Sequence, residues 1–147
     1  VQFIWQTGKY YSAAIAEQLK GQDIPNLKVT DFISDMGAAY KAADLVISRA
    51  GASSISEFCL IGKPVILVPS PNVAEDHQTK NALALSTRDA AIYIKDAEAP
   101  EILLQTAIDT VNDDAKLKSL SENVLKLALP DSANIIAKEV INLANGI

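Results

Sequence analysis

The chain has 147 residues, of which 49% are hydrophobic, and this is enough apolar material for the core of one domain. Thirteen Lys and Arg against eighteen Asp and Glu give a formal net charge of −5, which argues against nucleic-acid or anionic-lipid binding. With one cysteine and one histidine, the chain cannot form an internal disulfide or a Cys/His zinc site. No apolar run approaches the ~20 residues of a transmembrane helix. We therefore expect a metal-free, cytoplasmic chain.

The chain begins inside an apparent strand. Residues 1–6 are rich in β-branched and aromatic side chains and end at the turn Thr7-Gly8, a pattern typical of a buried strand. No charged leader with an apolar region and a cleavage site precedes them. We therefore expect residues 1–147 to be a single domain cropped from a longer protein.

Short apolar strands alternate with helices along the rest of the chain. Further strands are predicted at residues 27–30, 44–48, 64–68 and 91–94. Helices are predicted at residues 9–20, 35–43, 52–61, from about 76 onward with Ala82, Leu83 and Leu85 on one side, 99–111, 114–127, and after Pro130. Asp35 and Gly62 stand where a capping carboxylate and a left-handed helix end are favoured. Because buried parallel strands need helical crossovers, this order predicts an α/β fold with an open parallel sheet, flanking helices and a helical C-terminal segment.

Four loops that leave predicted strands contain most of the unusual polar and small residues. In open α/β sheets, ligands bind beyond the carboxyl ends of the strands. The loops lie at residues 7–9, 31–35, 48–54 and 70–78. Their common edge of the sheet is the predicted binding site.

The segment at residues 49–57 is the most informative of these. Small residues at 50–52 let the backbone approach a ligand closely, and the helix that follows offers free N–H groups and a positive dipole end for a phosphate. Glu57 has two interpretations. It completes a capping box with Ser54, or its carboxylate accepts hydrogen bonds from the paired hydroxyls of a ribose, one turn inside the helix.

Three single residues also have alternative roles. Phe32 could stack on a planar base or belong to the core, and His77 could be a general acid or base or a hydrogen-bonding surface residue. Cys59 is expected in the core. A P-loop, a G-x-G-x-x-G motif and an arguable Ser-His-Asp set are absent from the sequence, which weakens the NTPase, NAD dehydrogenase and serine hydrolase interpretations.

Several motifs in one order resemble the C-terminal domain of the MurG family. These are bacterial transferases that move N-acetylglucosamine from UDP-N-acetylglucosamine to the lipid-linked muramyl-pentapeptide, converting lipid I to lipid II in peptidoglycan synthesis. The motifs are residues 5–8 (WQTG), 29–36 (VTDFISDM), 43–52 (ADLVISRAGA), 56–57 (SE), 62–69 (GKPVILVP), 75–82 (EDHQTKNA) and 130–133 (PDSA). The resemblance covers nearly the whole chain.

The resemblance implies the C-terminal half of an inverting GT-B glycosyltransferase made of two Rossmann-like domains. The first strand of this half, its glycine-rich loop and the acceptor-binding N-terminal domain, with the expected catalytic base, would precede Val1. The fragment alone is then expected to be inactive, with UDP-N-acetylglucosamine as its ligand and no cofactor or metal. The intact enzyme would be peripheral on the cytoplasmic face of the inner membrane, and part of an apolar stripe on the last helix, formed by Ile135, Ile136, Val140 and Leu143, would be exposed.

The resemblance also implies a set of substrate-binding residues. Phe32 and Ile33 line the uracil pocket, where the Ile33 backbone reads the base edge, and Glu57 binds the ribose. Residues 52–54 approach the diphosphate and sugar, and the residues at 77 and 78 contact N-acetylglucosamine at positions where some relatives carry a glutamine pair. The full predicted set is Phe32, Ile33, Arg49, Gly51, Ala52, Ser53, Ser54, Glu57, His77 and Gln78.

Two other functions remain open from the sequence. The chain could be the donor-binding subunit of another two-part UDP-sugar glycosyltransferase. It could also be a non-catalytic nucleotide-binding α/β module.

Overall fold

The computed structural model describes residues 1–73 and 76–146, which divide into two compact units, Val1–Ala43 and Asp44–Ile147. Ala74 and Glu75, within the predicted loop at residues 70–78, lie outside the described residues, as does Ile147. The described strands pair in parallel and alternate with helices, which confirms the α/β class. They form a two-stranded sheet in the first unit and a three-stranded sheet in the second.

The first unit contains two strands and two helices. They are β1 (Phe3–Gln6), α1 (Lys9–Leu19), β2 (Leu27–Thr30) and α2 (Met36–Ala42). β1 and β2 are paired so that Gln6, the last residue of β1, lies opposite Thr30 at the end of β2. The prediction that the first strand is buried is wrong, since Ile4 and Trp5 are 56% and 43% exposed. A two-stranded sheet of four-residue strands has too few neighbours to cover its side chains.

The described residues of the second unit form the other three strands and five helices. They are β3 (Val46–Ser48), α3 (Ala52–Ile61), β4 (Val65–Leu67), α4 (His77–Ser86), β5 (Ile92–Tyr93), α5 (Ala99–Val111), α6 (Asp114–Leu125) and α7 (Ser132–Ala144). β4 lies between β3 and β5, and all three of its side chains are fully buried. This is the reason for its uninterrupted apolar sequence, because a central parallel strand is covered on both faces.

The predicted elements are all found, with ends that differ by no more than two residues from the predicted ones. Asp35 accepts a hydrogen bond from the Ala38 N–H, which confirms it as the cap of α2. Gly62 ends α3 with φ of 66°, which confirms the left-handed helix end. The Gly62 carbonyl also accepts a 2.7 Å hydrogen bond from the Ser121 hydroxyl, so the end of α3 is tied to α6.

The predicted apolar stripes of α4 and α7 differ in how far they are buried. In α4, Ala82 and Leu85 are buried, but the prediction that Leu83 shares their side is wrong, because it is 41% exposed. One residue advances a helix by about 100°, which carries Leu83 off the stripe formed by positions three apart. In α7, the whole predicted stripe is exposed. No helix in the described ranges 1–73 and 76–146 is both long and apolar enough to cross a membrane.

Candidate nucleotide-sugar site

In the first unit, the loop after β2 is held at three points. The Thr30 hydroxyl donates to the Phe32 carbonyl over 2.9 Å, and the Ile33 N–H donates to Oε1 of Gln6 over 2.8 Å. Asp35 then begins α2 through its 2.9 Å hydrogen bond from the Ala38 N–H. The loop therefore has a defined conformation at the carboxyl ends of β1 and β2, where open α/β sheets bind ligands.

Phe32 projects from this ordered loop. The residue is 63% exposed, so the alternative that placed Phe32 in the core is wrong. An exposed aromatic face on an ordered backbone can stack on a planar base. The neighbouring Ile33 is half-buried, and its carbonyl accepts no hydrogen bond from the described residues.

In the second unit, α4 joins the loops that follow β3 and β4. The Oε1 atom of Gln78 accepts hydrogen bonds from the Ser70 N–H (2.9 Å) and the Ala50 N–H (3.2 Å). One turn along α4, Nδ2 of Asn81 donates to the Ala50 carbonyl over 3.1 Å. Both polar backbone groups of the fully buried Ala50 are therefore bound by α4 side chains. Because both partners of Oε1 are donors, the amide orientation of Gln78 is determined.

Gln78 was predicted as a sugar contact, and the structure shows which of its atoms is available for one. Its oxygen is used by the two loops, while its amide nitrogen has no hydrogen-bond partner within residues 1–73 and 76–146. The side chain is thus a fixed donor. His77 precedes it as the exposed first residue of α4, after Asp76, whose left-handed backbone (φ 51°) turns the chain sharply into the helix.

Arg49 connects the end of β3 to the end of β4. Its Nη1 atom donates to the Val68 and Pro69 carbonyls, both over 3.2 Å, and pairs with the Asp96 carboxylate. Both side chains are partly exposed, so the ion pair itself contributes about 1 kcal/mol or less. The structural role of Arg49 is to hold the carboxyl ends of two neighbouring strands together. Asp96 was not predicted, because it lies 47 residues from Arg49 and no local pattern connects them.

The start of α3 contains four of the predicted residues. Gly51 is the N-cap, without a side-chain cap, and the first intrahelical hydrogen bond runs from the Ile55 N–H to the Gly51 carbonyl. The N–H groups of residues 52–54 therefore have no partner within the helix, and Ala52 and Ser53 are exposed. Such a helix start attracts anions.

The capping-box interpretation of Glu57 is wrong. It requires a serine at the N-cap, whereas Ser54 is the third residue of α3 and half-buried. Gly51 takes the cap position because a small residue with extended backbone (φ −68°, ψ 142°) suits it. Glu57 thus lies in the second turn of α3 with an exposed side chain. The proposed ribose contact remains a prediction.

The described residues of the second unit line cavities at two places. One of about 320 Å³ is at the carboxyl ends of β4 and β5 and is lined by residues that include Pro69, Thr79, Tyr93 and Asp96. The other, of about 560 Å³, lies between α3, α4 and the start of α7 and is mainly apolar. Cys59 borders it with 5% exposure, which confirms the predicted core position, and burial raises the pKa of its thiol. Among the residues described, no three His, Cys, Asp or Glu side chains come together as a metal site.

Asn81, like Asp96, contacts the candidate site but was not among the predicted residues. Its spacing of three from Gln78 places both side chains on one face of α4, and this spacing is visible in the sequence. The sequence could not show that this face meets the backbone of Ala50, 31 residues earlier.

Comparison with known proteins identifies the family. The profile of the glycosyltransferase family 28 C-terminal domain matches residues 1–136. Two relatives, from Bacteroides thetaiotaomicron and Bacteroides fragilis, are 69% and 70% identical over 98% of this chain. Both are named UDP-N-acetylglucosamine–N-acetylmuramyl-(pentapeptide) pyrophosphoryl-undecaprenol N-acetylglucosamine transferase, and the chain spans 39% and 38% of their lengths.

A solved structure supports the same assignment. The crystal structure of Acinetobacter baumannii MurG matches with a TM-score of 0.78 and 29% identity, over 98% of this chain and 42% of that one. The resemblance to the MurG family is therefore confirmed in both sequence and fold. The chain belongs to the glycosyltransferase family 28 C-terminal domain family.

Proposed function

We propose that this chain is the donor-binding part of an inverting N-acetylglucosaminyltransferase. The reaction of the whole protein transfers N-acetylglucosamine from UDP-N-acetylglucosamine to the lipid-linked muramyl-pentapeptide, lipid I to lipid II. The observation that carries the proposal is the 69% identity, over 98% of this chain, to a relative named for that transfer. The relatives carry the domain within one longer chain, which favours this function over a separate donor subunit.

The first unit would bind the base. Phe32 offers an exposed side chain for stacking, and Ile33 offers a carbonyl that accepts no hydrogen bond from the described part of the chain, which suits the N3–H of uracil. The three hydrogen bonds that hold this loop reduce the entropy lost on binding.

The second unit would bind the ribose, diphosphate and sugar. The free N–H groups of Ala52, Ser53 and Ser54 and the positive end of α3 suit the diphosphate, and the Glu57 carboxylate suits the ribose hydroxyls. Gln78, with its oxygen fixed, would donate its amide N–H to N-acetylglucosamine beside His77. Arg49 and Gly51 would act by shaping the loop.

The chemical contribution of this chain would be leaving-group stabilisation. In the proposed reaction, the acceptor hydroxyl attacks the anomeric carbon, the bond to the diphosphate oxygen breaks, and UDP leaves with inversion. Charge that develops on the diphosphate meets the first-turn amides of α3, which are already oriented. We assign the general base and the acceptor site to the part of the protein outside this chain, and we propose that no metal or other cofactor is needed.

The proposed location is the cytoplasmic face of the inner membrane, where the lipid-linked acceptor is available to a peripheral enzyme. The charge of −5 suits a part of the enzyme that does not face an anionic bilayer.

A nucleotide titration tests the proposal. Amide chemical shifts of the chain are followed with UDP, UDP-N-acetylglucosamine and NAD, for the wild type, Glu57→Ala and the control Glu139→Ala, an exposed mid-helix glutamate of α7. We expect shifts at residues 32–33 and 51–57 with the UDP ligands only. Loss of the Glu57 contact should weaken UDP binding about tenfold or more, as expected for hydrogen bonds to a charged group. Equal affinity for UDP and UDP-N-acetylglucosamine, together with no loss of affinity in Glu57→Ala, would favour a non-catalytic nucleotide-binding module.

A further inference from the structure

The larger cavity of the second unit lies away from the starts of α3 and α4, where the candidate nucleotide-sugar site is built. Its volume of about 560 Å³ is bordered by residues 55–60 of α3, residues 84–88 at the end of α4, and residues 127–133 leading into α7. Its apolar wall includes Ile55, Cys59, Leu60, Leu85, Leu127 and Leu129. Leu60 and Leu129 are 48% and 73% exposed, so this apolar surface is in contact with water. Both the volume and the apolar lining are typical of small-molecule sites.

One cation stands at this cavity. Apart from the Cys59 thiol, Arg88 is the only ionisable side chain among the described residues that line it. Nη1 of Arg88 donates to the Ala84 carbonyl over 2.6 Å, and because Ala84 also lines the cavity, the guanidinium is held beside it. The other guanidinium N–H groups have no partner within residues 1–73 and 76–146, and no described carboxylate pairs with them.

The two serines that line the cavity have already used their donors. The Ser56 hydroxyl donates to the Ala52 carbonyl over 3.0 Å, and the Ser132 hydroxyl donates to the Leu129 carbonyl over 2.6 Å. A hydroxyl has only one proton to donate. Arg88 therefore carries the free side-chain donors of the described wall.

This combination selects a class of ligand. A guanidinium offers parallel N–H groups that match the two oxygens of a carboxylate. A small inorganic anion would pair with Arg88 but would leave the apolar wall in water, and a neutral hydrocarbon would cover the wall but leave Arg88 unpaired. A carboxylate that carries an alkyl tail satisfies both parts of the cavity.

We propose that this cavity binds a free fatty-acid-type ligand, a single alkyl chain with a carboxylate head. The tail lies against the leucines of α3 and α4, and the carboxylate pairs with Arg88. This site is separate from the donor site and does not rest on the proposed function, because its residues lie toward the other ends of the same two helices.

The test uses three probes on the 147-residue chain. Octanoate carries both the head and the tail, 1-octanol carries the tail with a neutral head, and acetate carries the head without the tail. Amide chemical shifts of residues 55–60 and 84–88 are followed in the wild type and in Arg88→Gln, which loses the charge. Lys80→Gln is the matched control, since it removes a charge from an exposed position of α4 that does not line the cavity.

We expect octanoate to shift these amides saturably and to bind more tightly than octanol, and acetate to give no saturable shift. Arg88→Gln should weaken octanoate binding about tenfold, as expected for the loss of charge-assisted hydrogen bonds, and should leave octanol binding unchanged. Lys80→Gln should bind all three probes as the wild type does.

Several results would overturn the inference. Absence of saturable shifts at millimolar octanoate would show that the cavity takes no such ligand. Equal affinities for octanol and octanoate, or equal effects of Arg88→Gln and Lys80→Gln, would show that the carboxylate is not recognised. Saturable binding of acetate as tight as that of octanoate would show that the apolar wall plays no part. A response to phosphatidylglycerol vesicles without any response to octanoate would assign the surface to a membrane instead of a free ligand.

Discussion

Gln78 allows the structural and ligand-binding roles of one side chain to be separated. In Gln78→Ala, the Ala50 and Ser70 N–H groups lose their shared acceptor. Ala50 is fully buried, so its N–H costs about 1–3 kcal/mol when unpaired, whereas the half-buried Ser70 can be hydrated and costs about 1 kcal/mol. We expect Gln78→Ala to lower the free energy of unfolding by about 2–4 kcal/mol.

The matched variant is Gln78→Glu, which keeps an oxygen for both N–H groups but removes the amide donor. We expect its free energy of unfolding to stay within about 1 kcal/mol of the wild type, because the two backbone donors remain paired. Its preference for UDP-N-acetylglucosamine over UDP should be lost, because the proposed sugar contact is the amide N–H. Gln105→Ala is the control for stability, since Gln105 donates to Asp109 on the exposed surface of α5, a contact worth about 0.5 kcal/mol or less.

Urea denaturation followed by circular dichroism measures the stability, and calorimetry measures the two affinities. If the free energy of unfolding of Gln78→Ala is within about 0.5 kcal/mol of the wild-type value, the two N–H groups have found other partners, and the prediction is wrong. If Gln78→Glu is as unstable as Gln78→Ala, the acceptor oxygen is not what stabilises the loops.

Three further predictions address stability, the thiol and the donor site. Gly62→Ala should be destabilised more than Gly21→Ala. Both positions have positive φ, which costs an alanine about 1–2 kcal/mol, but a Cβ at Gly62 would lie 2.6 Å from Cγ of Leu125, whereas a Cβ at Gly21 would meet no described heavy atom within 4 Å. Urea denaturation measures the free energy of unfolding of both variants. Cys59 should react slowly with a thiol reagent at pH 8 until urea unfolds the chain. Burial raises the pKa of Cys59 in the folded state, so the neutral thiol stabilises the fold fully at pH values below the unfolded-state pKa. This stabilisation is lost as the pH rises through the folded-state pKa. In Cys59→Ala, the free energy of unfolding should therefore depend less on pH in that range. UDP affinity should be the same with EDTA as with Mg²⁺, and strong metal dependence would contradict the proposed binding by the start of α3.

The element order could be predicted because each signal is local. The apolar run at β4, the carboxylate of Asp35 and the glycine at the end of α3 act within a few residues of where they stand, and all three predictions are confirmed. Exposure could not be read in the same way. Ile4 and Leu83 follow apolar patterns but are exposed, since burial depends on which neighbours cover a face.

The candidate site shows a similar division. Its residues were predicted from motifs, and the resemblance to a family was confirmed, but the assignment of Ser54 as a helix cap was wrong because Gly51 takes that position. The motif residues could be identified from the sequence. Which atom of each residue is available to a ligand could not be identified in this way. For Gln78, it is the amide nitrogen, because the loops use the oxygen.

The sequence by itself determined the α/β class, the strand-exit loops and the family, because these depend on residue type and spacing along the chain. The tertiary structure alone decided which hydrogen-bonding groups are already occupied: the Ile33 N–H by Gln6, the backbone of Ala50 by Gln78 and Asn81, and the strand ends by Arg49 with Asp96. These partners are 19 to 47 residues apart. Their pairing depends on strand register and helix rotation, which no local pattern records.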